Sequence, residues 1–366
     1  MEELVRKSVL KVDPYVAGKP IEETKRQLGL KEVIKLASNE NPLGPSPRAV
    51  SAISKALKEI NRYPDSQSFY LKKKLARHYS LETDNFVIGN GSDELIDIII
   101  KTFLEPGENI VTSDCTFLEY GIMAQVNERM IKKVPLRYFK YDLEAVLRAV
   151  DKKTKLVFIA NPNNPTGTYV TREEVADFLE ALDDSVTVVF DEAYDSFIDV
   201  NDYPDSIGLL RKKKRVIVLK TFSKAYGLAG LRLGYAVSDK NTISYLERMR
   251  QPFNVNMLAQ AAGVAALDDR DFLKKSRRAV LEGKKFIYKE LSGMGLGFTP
   301  SVANFILIDT GRDCLEVFKS MLKFGVIVRD MKQYNLKNFI RVTVGTQTEN
   351  KRFVRVLKKV LKEKNR

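Results

Sequence analysis

Short apolar runs that stop abruptly at polar residues organise the first two thirds of the chain. Asn85-Phe86-Val87-Ile88, Leu156-Val157-Phe158-Ile159-Ala160, Val186-Thr187-Val188-Val189-Phe190 and Val216-Ile217-Val218-Leu219 are each too short for a helix and rich in β-branched or aromatic residues. Near-continuous apolar runs of that length predict strands buried on both faces of a parallel sheet. Between them the period changes. A helix is predicted after Ser46, with Pro47 in its first turn and Val50, Ile53, Leu57 and Ile60 on one face, ending before Asn61-Arg62-Tyr63-Pro64. Another runs from Leu95 to Leu104. Strand and helix alternate to about Ala236, the pattern of an α/β fold with a mostly parallel sheet between helices.

The remainder has a different character. A long basic helical stretch, Asp271 to Leu291, leads to the apolar runs Asn304–Ile308, Val326–Val328 and Phe339–Val344. A closing helix carries Phe353, Val356, Leu357, Val360 and Leu361 on one face, so this part predicts a smaller α+β unit.

Composition narrows the chemistry by exclusion. The 366 residues, 44% hydrophobic and 30% charged, are those of an ordinary globular protein, and length allows two domains. No apolar run approaches the roughly 20 residues that span a bilayer. Met1–Lys7 lacks the apolar core of a signal peptide, so a cytoplasmic location is expected. A single histidine, His78, argues against a histidine metal centre or a Ser-His-Asp triad. Cys115 and Cys314 stand far apart, which gives no metal spacing and no disulfide framework. The net charge of +14 is spread along helix faces without interleaved aromatic residues, so a solvated surface is expected rather than nucleic-acid binding.

Candidate chemistry sits where the apolar runs stop. Asp191-Glu192-Ala193-Tyr194 follows one strand, and Asn161-Pro162-Asn163-Asn164-Pro165-Thr166-Gly167 follows another. After a third comes Thr221-Phe222-Ser223-Lys224-Ala225-Tyr226-Gly227-Leu228-Ala229-Gly230-Leu231-Arg232. The turn Gly89-Asn90-Gly91-Ser92-Asp93-Glu94 opens a helix, where free N–H groups suit a phosphate. In open α/β sheets, ligands bind outside the carboxyl ends of the strands. A lysine, an aspartate, an asparagine, a tyrosine and an arginine meeting there suit pyridoxal phosphate (PLP), with the lysine as covalent carrier and the carboxylate on the pyridine nitrogen. The small, apolar neighbours of Lys224 are poor surroundings for a solvated lysine.

In this order the motifs resemble the fold-type I PLP-dependent aminotransferases, and within them the histidinol-phosphate group. The resemblance runs from Tyr15, in Asp13-Pro14-Tyr15-Val16-Ala17-Gly18, to Arg341, in Ile340-Arg341-Val342-Thr343. It implies a large PLP-binding domain over 39–265, and a small domain of 266–366 joined by the N-terminal segment 1–38. It implies Lys224 as Schiff-base residue, Asp191 as pyridine partner, and Tyr194 with Asn164 on the phenolic oxygen of PLP. Phe117 stacks on the ring. Gly91, Ser92, Asp93, Ser223 and Arg232 hold the phosphate, and Tyr63 reaches the phosphate of a neighbouring subunit, so a homodimer is implied. The Asn164-Pro165 peptide matches a position that is often cis. Tyr15, Asn39, Asn164, Asn304, Arg329 and Arg341 match substrate-side positions. The implied reaction is amino transfer between histidinol phosphate and 2-oxoglutarate, with glutamate on the other side and no metal. Aromatic aminotransferases and threonine-phosphate decarboxylase share these signals and stay open as alternatives.

Overall fold

A computed structural model describes residues 2–12, 18–212 and 215–362. The N-terminal part supplies β1 (Ile34–Lys35). A seven-stranded sheet follows, built from β2 (Phe86–Gly89), β3 (Asn109–Ser113), β4 (Met130–Val134), β5 (Thr154–Ala160), β6 (Thr187–Asp191), β7 (Val216–Thr221) and β8 (Gly234–Val237). Its order is β2-β8-β7-β6-β5-β3-β4. Only β8 runs against the others, paired antiparallel with β2 and β7. Every residue of β2, β3 and β6 is buried, as expected of strands covered by helices on both faces.

Parallel strands share one carboxyl edge, and register fixes what meets there. Ala160 pairs with Asp191, Asp191 with Leu219, and Thr221 with Gly234. The polar segments after Gly89, Ser113, Ala160, Asp191 and Thr221 therefore emerge side by side, together with the approach to the reversed strand β8.

Beyond this sheet lie β9 (Phe298–Thr299), β10 (Phe305–Asp309), β11 (Val326–Ile327), β12 (Arg329–Asp330) and β13 (Phe339–Thr343). Four of them form an antiparallel sheet in the order β12-β13-β10-β9, while β11 pairs in parallel with β1. The strand predicted over 326–328 thus ends at Ile327, and a further short strand past Val328, β12, serves the other sheet. The closing helix Gln347–Lys362 buries Phe353, Val356, Leu357 and Val360 on the small sheet, on the predicted face.

One helix departs from expectation. Pro47–Ala56 is helical, continued by a 3-10 turn over Leu57–Glu59. Ile53 packs into the core, yet Val50, Leu57 and Ile60 are 44%, 48% and 63% exposed. The apolar stripe was expected to be covered, and within a single chain it is not. Among the described residues no helix is long and apolar enough to cross a membrane.

Candidate active site

The carboxyl edge of the large sheet faces the small sheet across a cavity of about 470 Å³. Asn39, Ser92, Asp93, Phe117, Asn164, Asp191, Tyr194, Ser223, Lys224, Arg232, Arg329 and Arg341 all line it. Residues from eight separate stretches of sequence meet there, because strand ends and one N-terminal segment converge.

Asp191 is the last residue of β6 and 5% exposed. Its Oδ2 accepts the Tyr120 hydroxyl at 2.7 Å, and its Oδ1 accepts the Ala193 N–H at 3.2 Å. Burial pushes the carboxyl up to about 6, against the pull of these two donors; Asp93 adds to the rise and Lys224 opposes it. Tyr120 was not anticipated from sequence. The available signal was its spacing, three residues beyond Phe117 at the start of the helix Glu119–Val126, and the two rings meet edge to face at 5.7 Å.

Lys224 lies three residues past the end of β7, its Nζ 3.4 Å from the Ser38 carbonyl and 5.7 Å from the Tyr194 ring centre. Tyr194 is buried and accepts a hydrogen bond from Asn39 Nδ2 at 3.0 Å. Burial raises its phenol pKa, while Arg341 and Asn39 pull it down. Asn164 precedes a cis bond to Pro165, and its Oδ1 accepts from Arg341.

The backbone leaves an open cradle at the start of one helix. Gly91 caps the helix Ser92–Phe103 at φ +88°, and a Cβ there would lie 2.6 Å from Arg232 Nη2. The space it leaves lets Arg232 reach Asp93 at 2.9 Å and Ser223 at 3.5 Å. A helix N-terminus, a hydroxyl and a guanidinium thus converge, a donor set that fits a phosphate dianion. The buried carboxylate and the lysine complete the fit to PLP.

On the small-sheet side, Arg329 and Arg341 are direct register partners on neighbouring strands, 8% and 6% exposed. Arg329 donates to Gln333 at 2.8 Å. Arg341 donates to the Ala37 carbonyl at 2.8 Å, and its Nε is buried without a hydrogen-bond partner. Three successive carbonyls, Ala37, Ser38 and Asn39, receive Arg341, Lys224 and Asn304 respectively.

Not every anticipated residue enters the cavity. Asn304 is fully buried behind Asn39, donating to its carbonyl at 3.0 Å. Gly91 backs Arg232 rather than lining the space. Tyr63 stands 81% exposed elsewhere, stacked on Phe253 at 4.7 Å. Tyr15 lies outside the described residues. Glu119 and Tyr334 line the cavity and were missed by sequence reasoning. Burial, then Asp93 and Asp97, push the Glu119 carboxyl up to about 7.

Fold and cavity together define a PLP-dependent transferase of fold-type I. The chain belongs to the aminotransferase class I and II family, whose model matches residues 31–357. It is 48% identical over 357 residues to the histidinol-phosphate aminotransferase of Moorella thermoacetica, covering 97% of this chain and 92% of that one. It is 45% identical to histidinol-phosphate aminotransferase 2 of Carboxydothermus hydrogenoformans, covering 98% and 99%. Among solved structures, the Sinorhizobium meliloti histidinol-phosphate aminotransferase in complex with pyridoxal-5'-phosphate superimposes with a TM-score of 0.89 at 30% identity, covering 98% and 97%. Aspartate aminotransferase from Thermus thermophilus, at 20% identity and a TM-score of 0.83, shares the fold.

Proposed function

We propose that this chain transfers an amino group between L-histidinol phosphate and 2-oxoglutarate, a step of histidine biosynthesis, with the cavity described above as its active site. The observation that carries the substrate reading is the pairing of Arg329 with Arg341. Like charges placed directly opposite on neighbouring strands destabilise a sheet. Both arginines are nonetheless buried, and Arg341 has no carboxylate partner among the described residues. An anionic ligand offsets that repulsion. Both substrates of the reaction are anionic: glutamate or 2-oxoglutarate brings two carboxylates, histidinol phosphate one phosphate. Names of the full-length relatives point the same way.

When bound, PLP supplies an electron sink for the bond broken at the substrate Cα. The protein groups around it have separable tasks. Asp191 holds a proton on the pyridine nitrogen, and Tyr120 keeps that carboxylate oriented. Lys224 carries the cofactor and then moves the proton at the substrate Cα. Tyr194 and Asn164 bind the phenolic oxygen, and Phe117 covers one ring face. Ser223, Arg232 and the main-chain N–H groups of Ser92 and Asp93 bind the phosphate, and Gly91 leaves room for Arg232 beside it.

The unit is proposed to be a homodimer. Leu57, Ile60, Tyr63, Tyr70 and Phe253 are all exposed, and Tyr63 stacks on Phe253, which supports cover by a second copy. On this reading the Tyr63 hydroxyl of that copy reaches the phosphate held by Arg232. The small sheet, with the segment up to residue 38, closes the substrate side.

The deciding experiment compares kcat/KM for histidinol phosphate, histidinol and phenylalanine as amino donors. Histidinol phosphate is expected to lead by about tenfold or more, the worth of one charge-assisted contact. Parity with phenylalanine overturns the substrate and leaves the aminotransferase. Carbon dioxide released from threonine phosphate points to a decarboxylase instead.

A further inference from the structure

Outside the active-site cavity, one ammonium joins two carboxylates. Lys220, on β7, donates to Glu192 Oε2 at 2.7 Å and to Asp195 Oδ2 at 2.5 Å. Lys220 is 7% and Glu192 3% exposed, and the Tyr79 ring lies 5.9 Å from the ammonium. A second cavity, lined by these groups with His78 and Tyr203, shares no lining residue with the active site.

Each member is a close neighbour of a group that faces the active site. Glu192 follows Asp191, Asp195 follows Tyr194, and Lys220 precedes Lys224 by four residues. The Glu192 N–H also donates to the Leu219 carbonyl at 2.9 Å, so the same two segments are tied through the backbone. Stability alone is a poor reason for such a cluster. Taking charges out of water is costly, and well-packed apolar residues often serve a fold equally well. Glu192 Oε1 is moreover buried without a hydrogen-bond partner, which adds to that cost. What an ionic bridge provides and apolar packing does not is a fixed distance between two segments.

We infer that Lys220 is a positioning residue, a clamp that reaches Glu192 and Asp195 from outside the active-site cavity and thereby sets Asp191 and Tyr194 against the segment bearing Lys224. The inference rests on the proposed cofactor roles of those three residues. Two carboxylates flank the segment 191–195, so the clamp fixes both its ends and leaves its inner face to the cofactor.

Three variants test it in the PLP-loaded protein: Lys220→Arg, Lys220→Met, and the discharged Lys220→Met/Glu192→Gln/Asp195→Asn. The readouts are the PLP dissociation constant, the amplitude of the visible circular dichroism of the bound cofactor, and the thermal midpoint. Lys220→Met is expected to weaken PLP by about tenfold, on the scale of one lost charge-assisted contact, and to diminish the dichroic band. Lys220→Arg, which still bridges both carboxylates, keeps both near wild type. The discharged variant regains the thermal midpoint while the cofactor signals stay impaired. Should Lys220→Met fail to fold, the other two variants carry the test. Wild-type affinity and dichroism in the discharged variant would overturn the clamp, as would an arginine variant as impaired as methionine. A wild-type protein that takes up no PLP on Lys224 would instead overturn the cofactor reading and the clamp with it.

Discussion

Tyr120 donates its hydroxyl to Asp191 Oδ2 at 2.7 Å, and both groups are buried. The phenol comes from the first turn of a helix following β3, the carboxylate from the end of β6, 71 positions apart. The contact fixes the orientation of the carboxylate proposed to meet the pyridine nitrogen, and it opposes the rise in pKa that burial imposes.

Removing that donor therefore weakens Asp191 without touching it. Tyr120→Phe is expected to lower kcat by roughly tenfold to a hundredfold, the worth of a hydrogen bond to a charged group, with KM for the amino donor little changed. Steady-state kinetics at saturating PLP check this. A kcat within a factor of about two of wild type would show that other contacts orient the carboxylate equally well.

Asp191 has a cost that depends on pH. Its carboxyl stands at about 6 in the folded chain against an ordinary 3.8, so between those values the folded state keeps a proton that the unfolded state has released. Stability of the cofactor-stripped protein accordingly falls as pH rises from about 4 to 6, by about 3 kcal/mol in all, and does not recover above. Asp191→Asn is expected to be the more stable protein once stripped of PLP. Its advantage grows by about 1 kcal/mol between pH 5 and pH 8. Urea unfolding at the two pH values measures this, and an advantage independent of pH would contradict the assignment.

Gly91 is the cradle's weak point. At φ +88° a side chain is strained, and the added Cβ displaces Arg232 from the helix start. Gly91→Ala is expected to destabilise the fold by about 1–2 kcal/mol and to weaken PLP more than it slows turnover of the loaded enzyme. Absorbance titration with PLP gives the first quantity. Unchanged affinity would mean that the phosphate lies elsewhere.

Complementation tests the shared site. Lys224→Ala leaves a subunit without its own carrier, and Tyr63→Ala impairs the neighbour's phosphate contact. Mixed after unfolding together, the two variants form hybrids in which one of two sites is intact. If subunits pair at random, the mixture regains about a quarter of wild-type activity. No gain over the separate proteins would remove Tyr63 from the active site.

The elements that were legible in the sequence are those whose signal is local. Val186–Phe190 and Val216–Leu219 announce buried strands through an unbroken apolar run, and the polar residue after each marks the carboxyl edge. Asp191, Asn164 and Lys224 could be placed at one edge for that reason. Contacts decided by a distant partner were not legible. The break at Val328 depends on β1, nearly 300 residues earlier, competing with β13 for the same stretch. Tyr120 carries no sequence signal of its own beyond its spacing from Phe117, because only the parallel packing of β3, β5 and β6 brings its hydroxyl to Asp191. The stripe of Val50, Leu57 and Ile60 has a helical period that says it is apolar, not what covers it. Lys220, Glu192 and Asp195 carry no pattern at all until the fold sets them together outside the active-site cavity.

The three consecutive carbonyls of Ala37, Ser38 and Asn39 bear on how this stretch tolerates genetic change. Main-chain acceptors survive most side-chain replacements, so substitutions at Ala37 and Ser38 that fit the space leave the contacts to Arg341 and Lys224 in place. Length is another matter. Adding or deleting one residue between β1 and Asn39 shifts every acceptor by one position, and Arg341, Lys224 and Asn304 are all displaced from these carbonyls together. A library of single-codon insertions and deletions across 36–40 should be far more damaging than a substitution library over the same codons.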